Sequence, residues 1–123
     1  MSRIRKLPDS EFEIMNIIWD LPEPVERKDI EERLNTKHKI ALTTLLTLLS
    51  RLSDKGFIRI EKEGRRARYY KLVDKNDYLS YQSSLFFQQL CNSDMSVFAN
   101  ALCDSEISKK DLEELRRLLE ERS

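Results

Sequence analysis

The sequence predicts a mainly α-helical chain with a small β-hairpin wing: a winged helix-turn-helix N-terminal domain over residues 1–73 and a C-terminal helical dimerisation arm over residues 74–123. Three observations carry that reading. Three stretches with helical apolar spacing are followed, before Val73, by two stretches that alternate apolar and charged residues around Glu63-Gly64-Arg65-Arg66. Only two Gly and three Pro occur in 123 residues, so long helices joined by short turns are favoured. Beyond Val73 the apolar spacing returns to that of helices and persists.

The first helix is expected over residues 9–20, with Asp9 as N-cap and Phe12, Met15, Ile18 and Trp19 along one stripe. Leu21-Pro22-Glu23-Pro24 ends it, because proline cannot continue a helix interior. Residues 26–34 form a short second helix, whose apolar contacts are Val25, Ile30 and Leu34, and Asn35 to Lys39 is a turn. Residues 40–54 form the third helix, with Leu45, Leu48, Leu49 and Leu52 on its core face. Lys55-Gly56 closes it, since glycine adopts the left-handed C-terminal conformation at little cost. Residues 57–62 then read as a strand, Glu63 to Arg66 as a turn, and residues 67–73 as the returning strand.

In the arm, Asp74 caps a helix over 75–91, Ser93 caps one over 94–103, and Ser108 with Asp111 opens a third over 109–121 in the manner of a capping box. Its apolar residues include Leu79, Leu85, Phe86, Phe87, Leu90, Val97, Phe98, Leu102, Leu112, Leu115, Leu118 and Leu119. A thin helical layer cannot bury that much apolar surface by itself. A second copy of the chain is the simplest cover, and a two-fold dimer would set two third helices about 34 Å, or a multiple of it, apart on duplex DNA.

Formal net charge is zero, yet it is unevenly placed. Residues 1–73 hold 16 Lys and Arg against 12 Asp and Glu, residues 74–123 hold 6 against 10, and residues 37–73 alone hold 10 against 3, a local +7. A basic middle in a neutral chain points to a localised polyanion-binding face. No apolar run approaches the ~20 residues of a membrane span. The basic start, Met1 to Lys6, lacks the apolar core of a secretion signal, so a cytoplasmic protein without direct membrane binding is expected. Cys91 and Cys103, without a CxxC pair and with His38 as the only histidine, predict two half-buried thiols in helices rather than a disulfide framework or a metal site. No Ser-His or Cys-His motif and no glycine-rich phosphate loop is present, so neither an enzyme nor a cofactor is expected.

A winged helix sends its third helix into the major groove. Opposite the leucine core face this helix carries Leu42, Thr43, Leu46, Thr47 and Ser50, with Thr44 and Arg51 on the flanks. A threonine hydroxyl hydrogen-bonds base edges or phosphates, and its methyl packs on the thymine methyl. Leu42 and Leu46 fit either apolar thymine contacts or a contact with another chain. Lys39 before the helix and Arg65, Arg66 and Arg68 in the wing are the expected phosphate contacts, with Arg59, Lys62 and Lys71 beside them. Arg51 has an alternative role as partner of Glu11 or another acid. A rival reading places a small-molecule effector between the two parts, lined by Trp19, Tyr78, Tyr81 and Phe86.

The stretch from Leu7 to Trp19, LPDSEFEIMNIIW, resembles the opening helix of the BlaI/MecI penicillinase-repressor family, in which an acidic residue, a Met and a closing Trp recur in this register. Thr44, Thr47, Leu49, Arg51, Leu52 and Lys55-Gly56-Phe57-Ile58 are similar to its recognition helix and entry to the wing, and Glu63-Gly64-Arg65 with Tyr69 to its wing. The resemblance implies a repressor of resistance genes, such as those for β-lactamase or penicillin-binding proteins, that dimerises through C-terminal helices on dyad operators. It also implies a membrane-embedded sensor with a zinc-protease domain, whose signal leads to cutting of an Asn-Phe bond. The corresponding position here is Asn100-Ala101, where Asn is kept and Phe is not. Copper-responsive relatives carry a Cys-x-Cys tail, and Leu118 to Ser123 contains none, so copper sensing is not expected.

Overall fold

A computed structural model describes residues 4–36 and 39–122. The first of two compact units runs to Gln82. It contains helices α1 (Asp9–Asp20), α2 (Arg27–Asn35) and α3 (Leu42–Asp54), strands β1 (Val25–Glu26), β2 (Ile58–Glu63) and β3 (Arg66–Lys71), and the first turns of α4 (Lys75–Leu85). The sheet is antiparallel in the order β1-β3-β2, with Tyr69 opposite both Val25 and Ile60. This is the winged helix-turn-helix that the order of elements predicts.

The core follows the apolar spacing. Ile14, Met15 and Ile18 of α1, Ile30 and Leu34 of α2, and Leu45, Leu49 and Leu52 of α3 are almost fully buried, as are Phe57 and Ile58 where the chain enters β2. The four-leucine face read for α3 is its buried face, because residues three and four apart share one side of a helix. Gly56 has φ +80° and Gly64 has φ +62°, so the helix stop and the hairpin turn both use the left-handed region that glycine enters most readily.

Several local expectations are corrected. Asp9 is the first residue of α1 rather than its cap; the cap position is Pro8, whose carbonyl accepts from Phe12 N at 2.9 Å. Asp9 and Glu11 still place negative charge where the helix dipole is positive. Val25 is not a contact made by a helix but the start of β1, a two-residue strand on the outer edge of β3. Glu26 then caps α2, and its backbone N–H donates to Asp29 Oδ2 at 3.3 Å, completing a capping box. The α3 helix starts at Leu42, two residues later than read, with Ala41 as its cap. Lys37 and His38, in the expected turn, lie outside the described residues.

Tyr78 of α4 fastens the start of that helix to the same core. Its hydroxyl accepts from Leu7 N at 2.8 Å and from Gln82 Nε2 at 3.0 Å, and its ring packs on Phe12 and Phe57 at 5.6 Å. Trp19, 5.7 Å from Tyr78, donates to the Val73 carbonyl at 2.9 Å. Two residues of the rival effector lining are thus core aromatics with occupied polar tips.

The second unit begins at Ser83. A π-helical turn, Phe86–Leu90, follows the last residues of α4, where a continuous helix to Cys91 was expected. Asn92 and Ser93 have positive φ, 50° and 58°, and break the helix there. The cap of α5 (Met95–Asp104) is therefore Asp94, accepting from Ser96 N at 2.8 Å, and not Ser93. Helix α6 (Lys109–Arg122) starts as read, with Asp111 N donating to Ser108 Oγ at 3.1 Å. Phe98 packs edge-on against Phe86 and Phe87. On α6, Arg116 pairs with Glu113 and Glu120, and Arg117 with Glu121. The Arg116 guanidinium holds the Glu113 carboxyl below its ordinary pKa, first through the hydrogen bond and then through charge. Neither cysteine is the half-buried helical thiol expected: Cys91, the residue after the π-helical turn, is buried, and Cys103 of α5 is exposed.

Candidate nucleic-acid interface

Two-residue alternation decides which hairpin side chains face α3. Ile58, Ile60 and Lys62 of β2 and Ala67 and Tyr69 of β3 share the inner face, while Arg59, Glu61, Glu63, Arg66, Arg68 and Tyr70 alternate with them. Near the core the inner face is apolar. Towards the tip it outruns the core, and Lys62 takes the position that a buried residue would otherwise hold.

Between this face, α3 and the start of α2 lies an open groove of about 580 Å³. Leu46, Leu49 and Ser50 of α3 form one wall, and Ile60, Lys62, Gly64, Arg65, Arg66, Ala67 and Tyr69 of the wing form the other. Glu26, Arg27 and Lys28 close the end. The groove thus combines a partly apolar floor with cationic rims. Arg27 pairs with Glu31 at 3.0 Å. Among the described residues, no ion pair engages Lys28, Lys62, Arg65 or Arg66. Four cations on one surface without acid partners repel one another and favour a polyanion. Tyr69 lies against this groove with its phenol pKa raised, chiefly by burial; Arg27 lowers it and Glu31 raises it further.

Of the residues singled out from sequence, the groove brings together Leu46, Ser50, Arg65 and Arg66. Leu42, Thr43, Thr44 and Thr47 are exposed on α3, and Lys39 is exposed just before it. Thr47 Oγ1 donates to the Thr43 carbonyl at 2.9 Å. Arg68 is absent from the groove lining: it stands 3.8 Å from Glu63, as Arg59 stands 3.3 Å from Glu61 and 4.6 Å over the Tyr70 ring. On the other flank of α3, Arg51 is exposed and lines a shallow cleft with Arg5, Glu11, Asp54 and Lys55. Glu11 takes Lys55 rather than Arg51 as its partner, at 2.6 Å, with only 2 % of the Glu11 side chain exposed.

Sequence reasoning overlooked the contribution of Arg27 and Lys28. Their signal was present: two cations in the first turn of the helix that precedes the recognition helix, where a helix-turn-helix crosses the backbone.

Comparison with known proteins agrees with this architecture. The profile of the penicillinase repressor family matches residues 7–121. The chain belongs to the penicillinase repressor family. It is 30% identical over 122 residues to the penicillinase repressor of Bacillus licheniformis, covering 98% of this chain and 94% of that protein. It is likewise 30% identical over 115 residues to the methicillin resistance regulatory protein MecI of Staphylococcus aureus, covering 93% of each. Among solved structures, the monomeric form of Bacillus licheniformis BlaI in complex with the blaP half-operator is similar, with a TM-score of 0.51 and 31% identity, over 63% of this chain and 94% of that one. The DNA-binding domain of the repressor BlaI gives a TM-score of 0.54 over the same shares, again at 31% identity. Within the penicillinase repressor family, then, the likeness in structure covers the winged part and the likeness in sequence covers nearly the whole chain.

Proposed function

We infer that this chain is a homodimeric transcriptional repressor in the cytoplasm that binds palindromic operator DNA and blocks transcription of antibiotic-resistance genes. The groove between α3 and the wing carries the reading, with Lys28, Lys62, Arg65 and Arg66 free of acid partners among the described residues. In this reading α3 enters the major groove, where Thr43, Thr44, Thr47 and Ser50 meet base edges. Lys39, Arg51, Arg65 and Arg66 meet phosphates, and Arg68 joins them once it leaves Glu63. The BlaI relative bound to its half-operator supports the same use of the fold.

The arm, residues 74–123, supplies the second half-site by pairing two copies. None of the twelve apolar arm residues named above is buried in the single chain, and Leu90 and Leu119 remain 71% and 62% exposed. Such surface is stable in water only when covered. Induction in this reading is proteolytic, through a membrane-embedded sensor protease. The Asn100-Ala101 bond is exposed on α5, and cutting it would divide the pairing surface.

Fluorescence anisotropy with duplexes from the chain's own upstream region, together with sedimentation, tests the proposal. Binding at about 10 nM or tighter at physiological salt, by a dimer, is expected. A chain that stays monomeric at micromolar concentration and ignores duplex DNA at low ionic strength is not a repressor of this kind.

A further inference from the structure

The exposed side of α3 is unusual for a base-reading surface because it carries so few groups able to read purines by paired hydrogen bonds. Arg or Lys read guanine, and Asn or Gln read adenine, each through two bonds in the major groove. From Leu42 to Ser50 the helix contains none of these residues. Instead Leu42 and Leu46, one turn apart, are 46% and 42% exposed. The one threonine of this helix whose hydroxyl bond is defined spends its donor internally: Thr47 Oγ1 is bonded to the Thr43 carbonyl. What it can offer a partner is its methyl and an oxygen left able only to accept.

We propose that α3 reads its operator mainly by apolar contact with thymine 5-methyl groups, made by Leu42, Leu46 and the methyl of Thr47. The inference rests on the DNA-binding reading above and adds the chemistry of discrimination to it. Charge decides the occupant of this apolar strip. Leu46 lines the same groove as Lys62, Arg65 and Arg66, so whatever covers it must also satisfy those cations. Duplex DNA offers both: phosphates along the rim, and, in the major groove alone, a methyl on every thymine.

The test uses the full chain and a duplex selected by it from a random pool. Each thymine of the half-site is replaced in turn by deoxyuridine, which removes the methyl and leaves every hydrogen-bonding group in place. Affinity is expected to fall about fourfold for each contacted methyl, and about fifteenfold for two. Leu46→Ala, at an exposed position that leaves the core intact, should weaken binding to the thymine duplex and cancel the loss at one of those positions, a coupling read by double-mutant cycle. Deoxyuridine duplexes bound within twofold of the thymine duplex overturn the inference while leaving the repressor reading standing. Unchanged DNA affinity in Leu42→Ala and Leu46→Ala overturns it also and assigns the strip to a protein partner. Failure to select any duplex overturns both readings.

Discussion

The salt dependence of DNA binding is set by which wing cations are free. Arg65 and Arg66 line the groove and have no acid partner among the described residues, whereas Arg68 has Glu63 at 3.8 Å. Beside Lys39 and Arg51, the groove cations Lys28, Lys62, Arg65 and Arg66, counted as phosphate contacts, by themselves contribute a slope of log affinity against log salt of about −3.6 per half-site, and about −7 for a dimer. Between 50 and 200 mM salt these contacts alone should then cost a dimer about twenty-thousandfold in affinity. Arg65→Ala removes one contact per half-site and should lower the slope by about 1.8 in the dimer, so that the same change in salt costs about two-thousandfold. Arg68→Ala should change the slope by less than half as much, because its charge is already partly answered within the hairpin. Anisotropy of a labelled duplex across a sodium chloride series reads all three slopes. Arg65→Ala should weaken an operator and an unrelated duplex alike. An unchanged slope, or a loss confined to one sequence, would falsify the assignment of the groove to the phosphate backbone.

Other expectations follow from the same geometry. Glu63→Gln should free Arg68 and tighten binding to any duplex at low salt, measured in the same assay. Lys55→Met should cost about 3 kcal/mol in urea unfolding by leaving the Glu11 carboxylate buried without its partner, and the double variant Glu11→Leu/Lys55→Met should recover most of it. Tyr69 has a phenol pKa raised by burial, so its folded form holds the proton longer than the unfolded chain does. Stability should be unaffected by this group below the ordinary tyrosine pKa of about 10 and should decline as pH rises above it, and Tyr69→Phe should remove that part of the decline in alkaline urea titrations. Leu115→Arg with Leu119→Arg, at positions 38% and 62% exposed, should give a folded monomer by sedimentation with weakened operator binding.

What could be read from the sequence was what repeats with a local period. The α3 face of Leu45, Leu48, Leu49 and Leu52 was legible because four leucines at helical spacing leave one arrangement that buries them all. Gly56 and Gly64 were legible because their positions demand a left-handed residue. The two-residue strand at Val25 was not, since two residues have no period, and it exists only because β3 offers an edge. The Glu11–Lys55 pair joins residues forty-four apart in sequence, and nothing local distinguishes Lys55 from Arg51 as the partner. Lys55 wins because it sits at the C-cap of α3, where the helix ends beside α1. The break after α4 was hidden for a different reason. Phe86, Phe87 and Leu90 keep a helical apolar spacing, and the positive φ of Asn92 and Ser93 falls on residue types that also occur within helices.

The division of charge along the chain bears on how a net-neutral protein selects DNA at all. At physiological salt the field of a charge is screened within about 8 Å, so a distant duplex meets almost no attraction from a molecule whose total is zero. Attraction begins only when the +7 segment, residues 37–73, comes within that distance. The arm, with a net −4, is repelled by the same polyanion and cannot compete as a non-specific binding surface. Association is therefore slower than for a uniformly basic protein, but fewer encounters are spent in wrong orientations. Adding positive charge to α6, for example by Glu114→Lys and Glu121→Lys, should raise affinity for unrelated duplexes more than for the operator, and so lower the ratio between them without touching a base contact. An arm whose charge leaves that ratio unaltered would take no part in discrimination, and all selectivity would then reside in α3 and the wing.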